Sequence, residues 1–186
     1  MTTAKMKKIT ERTVVFFMPE IKRSIFLCGF MGCGKSTAGK LLADKLGCDF
    51  TDMDDYIVKK QGMTIPQMFA EKGEDFFRRA ETDAVIELSE KSGIIACGGG
   101  AMLKKVNAEI ANGAGCVVYI DVDFETCYNR IKGGKDRPIV VNNTKEELNI
   151  IYDGRVPAYR ENSAYTVSGE GTPSEVADRI IEVLKK

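Results

Sequence analysis

Short apolar runs alternate along the chain with stretches whose apolar residues recur at helical spacing. The short runs predict β-strands, because each is apolar and is bounded by glycine or polar residues. The stretches between them predict helices, several of which begin at a capping residue. The predicted strands cover residues 24–28, 48–52, 94–97, 116–122 and 164–169, and the predicted helices cover residues 35–46, 54–61, 64–72, 74–91, 124–132, 144–155 and 173–185.

This alternation predicts a three-layer α/β domain, in which helices cover both faces of a mostly parallel sheet. Ligands of such sheets bind at the carboxyl ends of the strands. The candidate site is therefore expected in the residues that directly follow positions 28, 51, 97 and 121.

The length of 186 residues fits a single domain, which we expect to cover residues 23–186. Residues 1–22 have a basic start and a short apolar patch, and we expect them to form an N-terminal extension that is partly disordered. Residues 133–143 are rich in glycine and asparagine and have no period, which predicts a mobile loop.

Composition and charge exclude several classes of chemistry. Lys and Arg number 27 and Asp and Glu number 27, and this zero net charge argues against a general nucleic-acid binder. No apolar run approaches the ~20 residues that a membrane-spanning helix needs. The absence of histidine excludes Ser-His-Asp and Cys-His catalysis and His-ligated zinc. The six cysteines form no Cys-x-x-Cys pair, so we interpret them as buried apolar residues of a protein in a reducing cytoplasm.

The strongest motif follows the first predicted strand. Residues 29–36, GFMGCGKS, fit the pattern G-x-x-x-x-G-K-[ST] of a phosphate-binding P-loop, with a strand before it and a helix after it. Backbone N–H groups of such a loop surround the phosphates, while Lys35 supplies a positive charge and the Ser36 hydroxyl is a ligand for Mg²⁺. The sequence therefore predicts a nucleoside-triphosphate site, whose phosphate-binding residues are Gly32, Cys33, Gly34, Lys35, Ser36 and Thr37.

Two further clusters follow predicted strands and favour phosphoryl transfer to a small molecule. Asp52 and Asp54 would point the same way in an extended segment, so one could hold Mg²⁺ through water while the other meets a substrate hydroxyl. Three glycines at residues 98–100 allow a ligand to approach the backbone closely. On pattern alone, Asp121 at the end of an apolar strand is an equal candidate for the carboxylate beside Mg²⁺.

Taken in order, these motifs resemble the shikimate kinase family. GFMGCGKST is followed by FTDMD, by FRRAE at residues 77–81, by GGG, by DRP at residues 136–138 and by AYR at residues 158–160, and the likeness covers about residues 22–186. The resemblance implies a P-loop kinase fold with a five-stranded parallel sheet and a mobile lid at about residues 130–144. It also implies that ATP phosphorylates the 3-hydroxyl of shikimate, a step toward the aromatic amino acids.

The resemblance further implies which residues carry the reaction. Lys35, Asp54 and Arg137 are the expected catalytic residues, with Lys35 and the lid residue Arg137 on the phosphates and Asp54 on the hydroxyls of shikimate. Ser36 and, through water, Asp52 are expected to hold Mg²⁺.

Other residues are expected to bind the two substrates. Arg130 matches an arginine near the adenine of ATP, and Glu81 matches an acid that orients Arg78. Arg78 and Arg160 match a pair of arginines that binds the carboxylate of shikimate in a clamp of charge-assisted hydrogen bonds. The expected substrate-binding set is Asp54, Arg78, Gly98, Gly99, Gly100 and Arg160.

The resemblance also implies a cytoplasmic monomer whose partners are ATP and shikimate, and which binds neither nucleic acid nor a membrane. Cys33 in the P-loop and Cys97 before the triple glycine depart from the residues that are frequent in the family, and oxidation of either thiol would inhibit the enzyme.

Two other functions stay open at this point. One is a related kinase that acts on gluconate or on a nucleoside monophosphate. The other is a P-loop protein that binds a nucleotide without transferring its phosphate, although intact Lys35, Asp54 and Arg137 argue against this loss of activity. Without the family pattern, ion pairs with Glu74 and Glu81 on the surface of a helix explain Arg78 better than a functional role does.

Overall fold

The computed structural model describes residues 23–133 and 138–185. The predicted N-terminal extension, residues 1–22, lies outside these ranges. Residues 134–137 of the predicted lid also lie outside them, and they include the expected catalytic residue Arg137.

A parallel sheet forms the centre of the described part of the chain. Its five strands are β1 (Ser24–Cys28), β2 (Phe50–Asp52), β3 (Gly93–Ala96), β4 (Gly115–Asp121) and β5 (Tyr165–Ser168). They pair in the order β2–β3–β1–β4–β5, and every pair is parallel. In the central strand, Phe26 lies opposite Ile95 of β3 and Val117 of β4. This arrangement confirms the predicted α/β class.

Helices connect the strands. Over the described ranges they are α1 (Lys35–Leu46), α2 (Met53–Gln61), α3 (Ile65–Lys72), α4 (Glu74–Ser89), α5 (Lys105–Ala114), α6 (Phe124–Ile131), α7 (Pro138–Val141), α8 (Lys145–Asn162) and α9 (Pro173–Leu184), with a short 3-10 helix at Ala101–Leu103. Helix α1 packs with α9 and against β2 and β3, whereas α5 packs with α4 and α8 and against β1 and β4. Strand β1 lies between these groups, and its residues Phe26 and Leu27 are fully buried. No helix in the described ranges is long and apolar enough to cross a membrane.

Helix α8 is longer than the sequence pattern predicts. The prediction ends at about residue 155, two residues before Pro157, but the helix continues through Pro157 to Asn162. A proline inside a helix removes one backbone hydrogen bond and disfavours the helical turn before it. Packing outweighs this cost here, because Tyr159 is buried and its ring stacks on Tyr119 of β4 with ring centroids 5.4 Å apart. The longer helix decides which arginine of α8 reaches the site.

Helices α5 and α7 are absent from the prediction. The buried face of α5 consists of Asn107, Ala108 and Ala111, and none of these is a large apolar residue. Packing therefore determines this helix more than its own sequence does, and the Asn107 side chain donates a hydrogen bond to the Ala101 carbonyl at 2.9 Å. Helix α7 is a single turn inside the stretch predicted as a mobile loop.

One glycine lets the helix after the P-loop lie close to the sheet. A Cβ atom at Gly39 of α1 would lie 2.8 Å from the Phe50 ring of β2 and 3.1 Å from a methyl group of Leu27 of β1. Because side chains in protein cores are packed about as densely as organic crystals, there is no free space for that atom. Gly39 therefore fixes the distance between α1 and the strands whose ends carry the candidate site.

We expect Gly39→Ala to lower the free energy of unfolding by about 1 kcal/mol, since overpacking outweighs the gain in helix propensity. Gly154→Ala is the matched control, because Gly154 is exposed on α8 and a Cβ there would meet no atom within 4 Å. It should raise the free energy of unfolding by about 0.5–1 kcal/mol. Urea unfolding measures both changes, and an equal gain for the two variants would contradict the close packing of α1.

Candidate active site

The P-loop joins the central strand β1 to helix α1. Gly32 and Gly34 have φ angles of 82° and 96°, in the left-handed region that glycine adopts without strain. The Lys35 ammonium donates hydrogen bonds to the carbonyls of Gly29 at 2.9 Å and Phe30 at 3.0 Å. Its positive charge therefore lies across the loop, at the amino-terminal end of α1, where backbone N–H groups and the helix dipole favour an anion.

Two adjoining cavities open beside this loop. One of about 320 Å³ contains the phosphate-binding end of the loop together with Arg130, and its lining is Gly32, Gly34, Lys35, Ser36, Thr37, Asp52, Asp54, Cys97, Gly99 and Arg130. The other, of about 200 Å³, is lined by Cys33, Gly34, Thr37, Ala38, Arg130, Gly169, Gly171, Pro173 and Val176. Arg130 belongs to both and donates a hydrogen bond to the Gly32 carbonyl at 3.0 Å. The predicted phosphate-binding residues within the described ranges therefore lie together.

A short hydrogen-bond chain connects the P-loop to the end of β2. The Ser36 hydroxyl donates to one oxygen of Asp52 at 2.7 Å, and the other oxygen of Asp52 accepts from the backbone N–H of Asp54 at 3.1 Å. The expectation of one extended segment is wrong, because Asp52 ends β2 and caps α2 while Asp54 lies in the first turn of that helix. Asp121, the rival carboxylate, instead forms an ion pair with Arg160 at 2.9 Å.

A third cavity, of about 570 Å³, lies on the other side of Asp54. Charged groups and the triple glycine form one part of its wall, and apolar residues form the rest. Its lining residues are Met31, Asp54, Ile65, Phe69, Glu74, Phe77, Arg78, Glu81, Gly98, Gly99, Gly100, Ile139 and Arg155. Phe69 and Phe77 pack against each other with ring centroids 5.0 Å apart. A ligand in this cavity would therefore have an apolar surface on one side and fixed charges on another.

Arg78 is held at the cavity by two carboxylates of its own helix. Its guanidinium lies 2.7 Å from Glu81 and 2.9 Å from Glu74. Glu81 is only 2% exposed, and burial raises the pKa of its carboxyl group while the charge of Arg78 opposes that rise. The ion pair is not a pair of solvated surface charges, because one partner is buried beneath the other. It fixes the direction in which Arg78 reaches the cavity.

The triple glycine makes room for these charged groups. A Cβ at Gly98 would lie 2.6 Å from an oxygen of Asp54, and a Cβ at Gly100 would collide with the guanidinium of Arg78. Any larger residue at either position would push aside a group of the cavity wall. Gly98 and Gly100 thus leave space for the side chains that approach them, beyond allowing a flexible turn.

The second arginine of this cavity is Arg155 and not Arg160, which was expected beside Arg78. Arg160 is 60% exposed in its side chain, pairs with Asp121 and does not line the cavity. The two arginines are five residues apart on α8, which rotates their side chains by about 140° relative to each other. The guanidinium of Arg155 lies 6.0 Å from the centroid of the Phe30 ring and lines the cavity that contains Arg78.

The cavity of about 320 Å³ at the phosphate end of the P-loop and the cavity of about 570 Å³ share two residues, Asp54 and Gly99. A phosphate on the P-loop and a molecule in the cavity of about 570 Å³ would therefore meet beside one carboxylate and one backbone segment. This is the arrangement that direct transfer between two bound molecules requires, since catalysis of phosphoryl transfer is mainly positioning and stabilisation of charge.

The two thiols nearest the phosphates are both buried. Cys33 and Cys97 are each 3% exposed, and burial raises the pKa of the Cys97 thiol well above its usual value. Because oxidants attack the thiolate, this burial disfavours oxidation of Cys97. Inhibition by oxidation of Cys33 or Cys97 stays a prediction.

The fold and the site together define a class of protein. A P-loop with its lysine and serine, a carboxylate hydrogen-bonded to that serine, and an arginine-lined cavity that adjoins the phosphate cavity are the parts of a P-loop kinase that phosphorylates a small molecule.

Comparison with known proteins narrows this class to one family. A family model described as shikimate kinase matches residues 31–185. A shikimate kinase from Geobacter sulfurreducens is 41% identical over 146 residues, which are 77% of this chain and 81% of the relative. Another from Streptococcus gordonii is 39% identical over 162 residues, 84% of this chain and 98% of the relative. The chain belongs to the shikimate kinase family, which confirms the resemblance and the kinase activity that it implied.

Solved structures agree with this assignment. The shikimate kinase from Acinetobacter baumannii, solved in complex with shikimate, is 36% identical and superposes with a TM-score of 0.84 over 89% of this chain and 94% of that chain. A gluconokinase from Sinorhizobium meliloti superposes with a TM-score of 0.57 at 16% identity, over 89% of this chain and 93% of that chain. The second likeness concerns the fold alone.

Proposed function

We propose that this chain transfers the γ-phosphoryl group of ATP to the 3-hydroxyl of shikimate, forming ADP and shikimate 3-phosphate. The observation that carries the proposal is the junction of the two cavities at Asp54 and Gly99. It brings an acceptor in the arginine-lined cavity to the phosphate end of the P-loop. The Acinetobacter baumannii relative, whose structure contains shikimate, supports the choice of acceptor.

The P-loop side of the junction binds the nucleotide. Backbone N–H groups of the loop and the Lys35 ammonium hold the phosphates, and the charge of Lys35 stabilises the transferred group as the bond to ADP weakens. Arg130 lies between the two cavities of the P-loop, where one face of its guanidinium meets the nucleotide. Arg137 adds a second positive charge from the lid in this proposal, although it lies outside the described residues.

The serine and aspartate beside the phosphates fit a magnesium ion. The Ser36 hydroxyl and the Asp52 carboxylate are 2.7 Å apart, and both are hard oxygen donors of the kind that Mg²⁺ prefers. Within the part of the chain that the structure describes, no cluster of three or more acidic, cysteine or histidine side chains could hold a metal alone. This suits an ion that takes its remaining ligands from phosphates and water, and when bound it neutralises charge on the β- and γ-phosphates.

The acceptor side orients shikimate. Arg78 and Arg155 bind its carboxylate, since guanidinium groups form charge-assisted hydrogen bonds to both of its oxygens. The rings of Phe69 and Phe77 contact the carbon ring of the acceptor. Asp54 hydrogen-bonds the hydroxyls and takes the proton of the attacking 3-hydroxyl as the new oxygen–phosphorus bond forms. A loose transition state needs little help from a base, so this chemistry requires no histidine.

We further propose that the protein acts as a monomer in the cytoplasm. All six cysteines, which lie within the described residues, are free thiols, as expected in a reducing compartment. Residues of one chain line both cavities of the junction, so the proposed reaction needs no second subunit.

The choice of acceptor is tested by an ADP-release assay with shikimate, with gluconate and without acceptor. We expect turnover with shikimate to exceed turnover with gluconate by at least about a hundredfold, because gluconate is an open chain that cannot fill the apolar wall and the arginine clamp together. ADP release without acceptor should be far slower still. Faster turnover with gluconate, or tight ATP binding without transfer to either acceptor, would contradict the proposed function.

The corrected clamp gives a separate prediction. We expect Arg155→Ala to raise the KM for shikimate by about ten- to a hundredfold, because it removes charge-assisted hydrogen bonds to the carboxylate. The KM for ATP should change by less than about threefold. Arg160→Ala is the control on the same helix and should leave both KM values near those of the unchanged enzyme. A larger rise in the KM for shikimate for Arg160→Ala than for Arg155→Ala would show that Arg160, and not Arg155, binds the carboxylate.

A further inference from the structure

The buried hydroxyl of Tyr159 lies behind the junction of the two cavities. Tyr159 is 1% exposed, and it lines neither cavity. Its hydroxyl donates a hydrogen bond to the carbonyl of Gly99, one of the two residues that both cavities share. Arg155 lies one helical turn earlier on α8, so its side chain neighbours Tyr159 on the helix surface.

The hydrogen bond to Gly99 uses the single hydrogen that a phenol can donate. Burial raises the pKa of Tyr159, so the hydroxyl keeps the hydrogen that Gly99 accepts. The hydrogen bond therefore holds the Gly99 backbone beside Arg155, since an added Cβ at Gly99 would lie 3.9 Å from the Arg155 guanidinium.

Aromatic rings pack against both Tyr159 and Arg155. The ring of Tyr159 stacks on Tyr119 with an angle of 26° between the ring planes, and the guanidinium of Arg155 lies over the ring of Phe30 in the P-loop. Packing thus restricts the rotation of both side chains.

We infer that Tyr159 is a positioning residue for the transfer, whose hydroxyl holds the Gly99 backbone beside the acceptor-binding Arg155, where acceptor and phosphate meet. It touches neither substrate. It keeps the backbone at Gly99 correctly placed relative to the arginines that bind the carboxylate. Displacement of a positioning group by about 1 Å is enough to cost a large part of the rate. This inference rests on the proposed function, because it concerns how that function's acceptor is held.

Tyr159→Phe tests the inference, because it keeps the stacked ring and removes only the hydroxyl. We expect the KM for shikimate to rise about five- to tenfold, as for the loss of one buried hydrogen bond, while the KM for ATP changes by less than about twofold. Shikimate should also protect the variant less against thermal unfolding than it protects the unchanged enzyme. This second readout reports acceptor binding independently of turnover.

Tyr152→Phe is the matched control. Tyr152 lies on the same helix, and its hydroxyl also donates to a backbone carbonyl, that of Val122 at 2.8 Å, but it lines neither cavity of the junction. Its loss should lower thermal stability by a similar amount and leave the KM for shikimate unchanged.

The outcomes separate this inference from the proposed function. If the unchanged enzyme does not phosphorylate shikimate, the proposed function fails before any variant is compared. If it does, equal KM values for Tyr159→Phe and the unchanged enzyme would overturn the inference alone. An equal rise in the KM for both substrates, or a Tyr159→Phe chain that does not fold, would also overturn it, since the hydroxyl would then support general stability.

Discussion

Parallel hydrogen bonding between neighbouring strands decides which parts of this chain can meet. Strand β1 pairs with β3, and β3 pairs with β2, all in the same direction. The segments after these three strands therefore emerge at one edge of the sheet. They are the P-loop, the acidic turn at Asp52 and Asp54, and the triple glycine. Each supplies a different part of the chemistry, and the sheet holds them in register without any long loop.

Two carboxylates at this edge have partners within the protein. The buried carboxylate of Glu81 lies against Arg78, and Asp52 accepts hydrogen bonds from Ser36 and from the backbone of α2. Breaking a buried pair leaves one charge without compensation, which costs several kcal/mol. The same pairing gives Arg78 a fixed direction before a ligand arrives, and a preorganised group loses less conformational entropy when it binds.

Most of the architecture could be predicted from the sequence, because the strands are apolar and the P-loop has a specific pattern with a strand before it and a helix after it. The five strands in the described ranges and the helices α1 to α4, α6 and α9 lie close to their predicted positions. Helix α5 was not predicted, since its buried face consists of Asn107, Ala108 and Ala111 and has no large apolar residue. The end of α8 was also missed, since Pro157 is a strong local signal against a helix and only the packing of Tyr159 outweighs it.

The wrongly predicted end of α8 also explains why Arg160, and not Arg155, was expected at the acceptor cavity. A helix that continues through Pro157 puts Arg155 and Tyr159 on one face, because residues four apart are neighbours on a helix, and turns Arg160 toward Asp121. The pattern AYR suggests Arg160 as the carboxylate-binding arginine only when it is not known which face of the helix each residue occupies. Ser36, Asp52 and Arg78 did not depend on that phase, and each lies in a cavity where its predicted chemistry is possible.

In the proposed reaction, acceptor and nucleotide meet directly at Asp54 and Gly99, with no phosphorylated enzyme between them. Its most direct test is the stereochemistry at phosphorus, measured with ATP made chiral at the γ-phosphorus by oxygen isotopes and shikimate as acceptor. A single in-line displacement inverts the configuration at phosphorus, so we expect inversion in the product. Retention of configuration would require two successive displacements and would contradict direct transfer from ATP to shikimate.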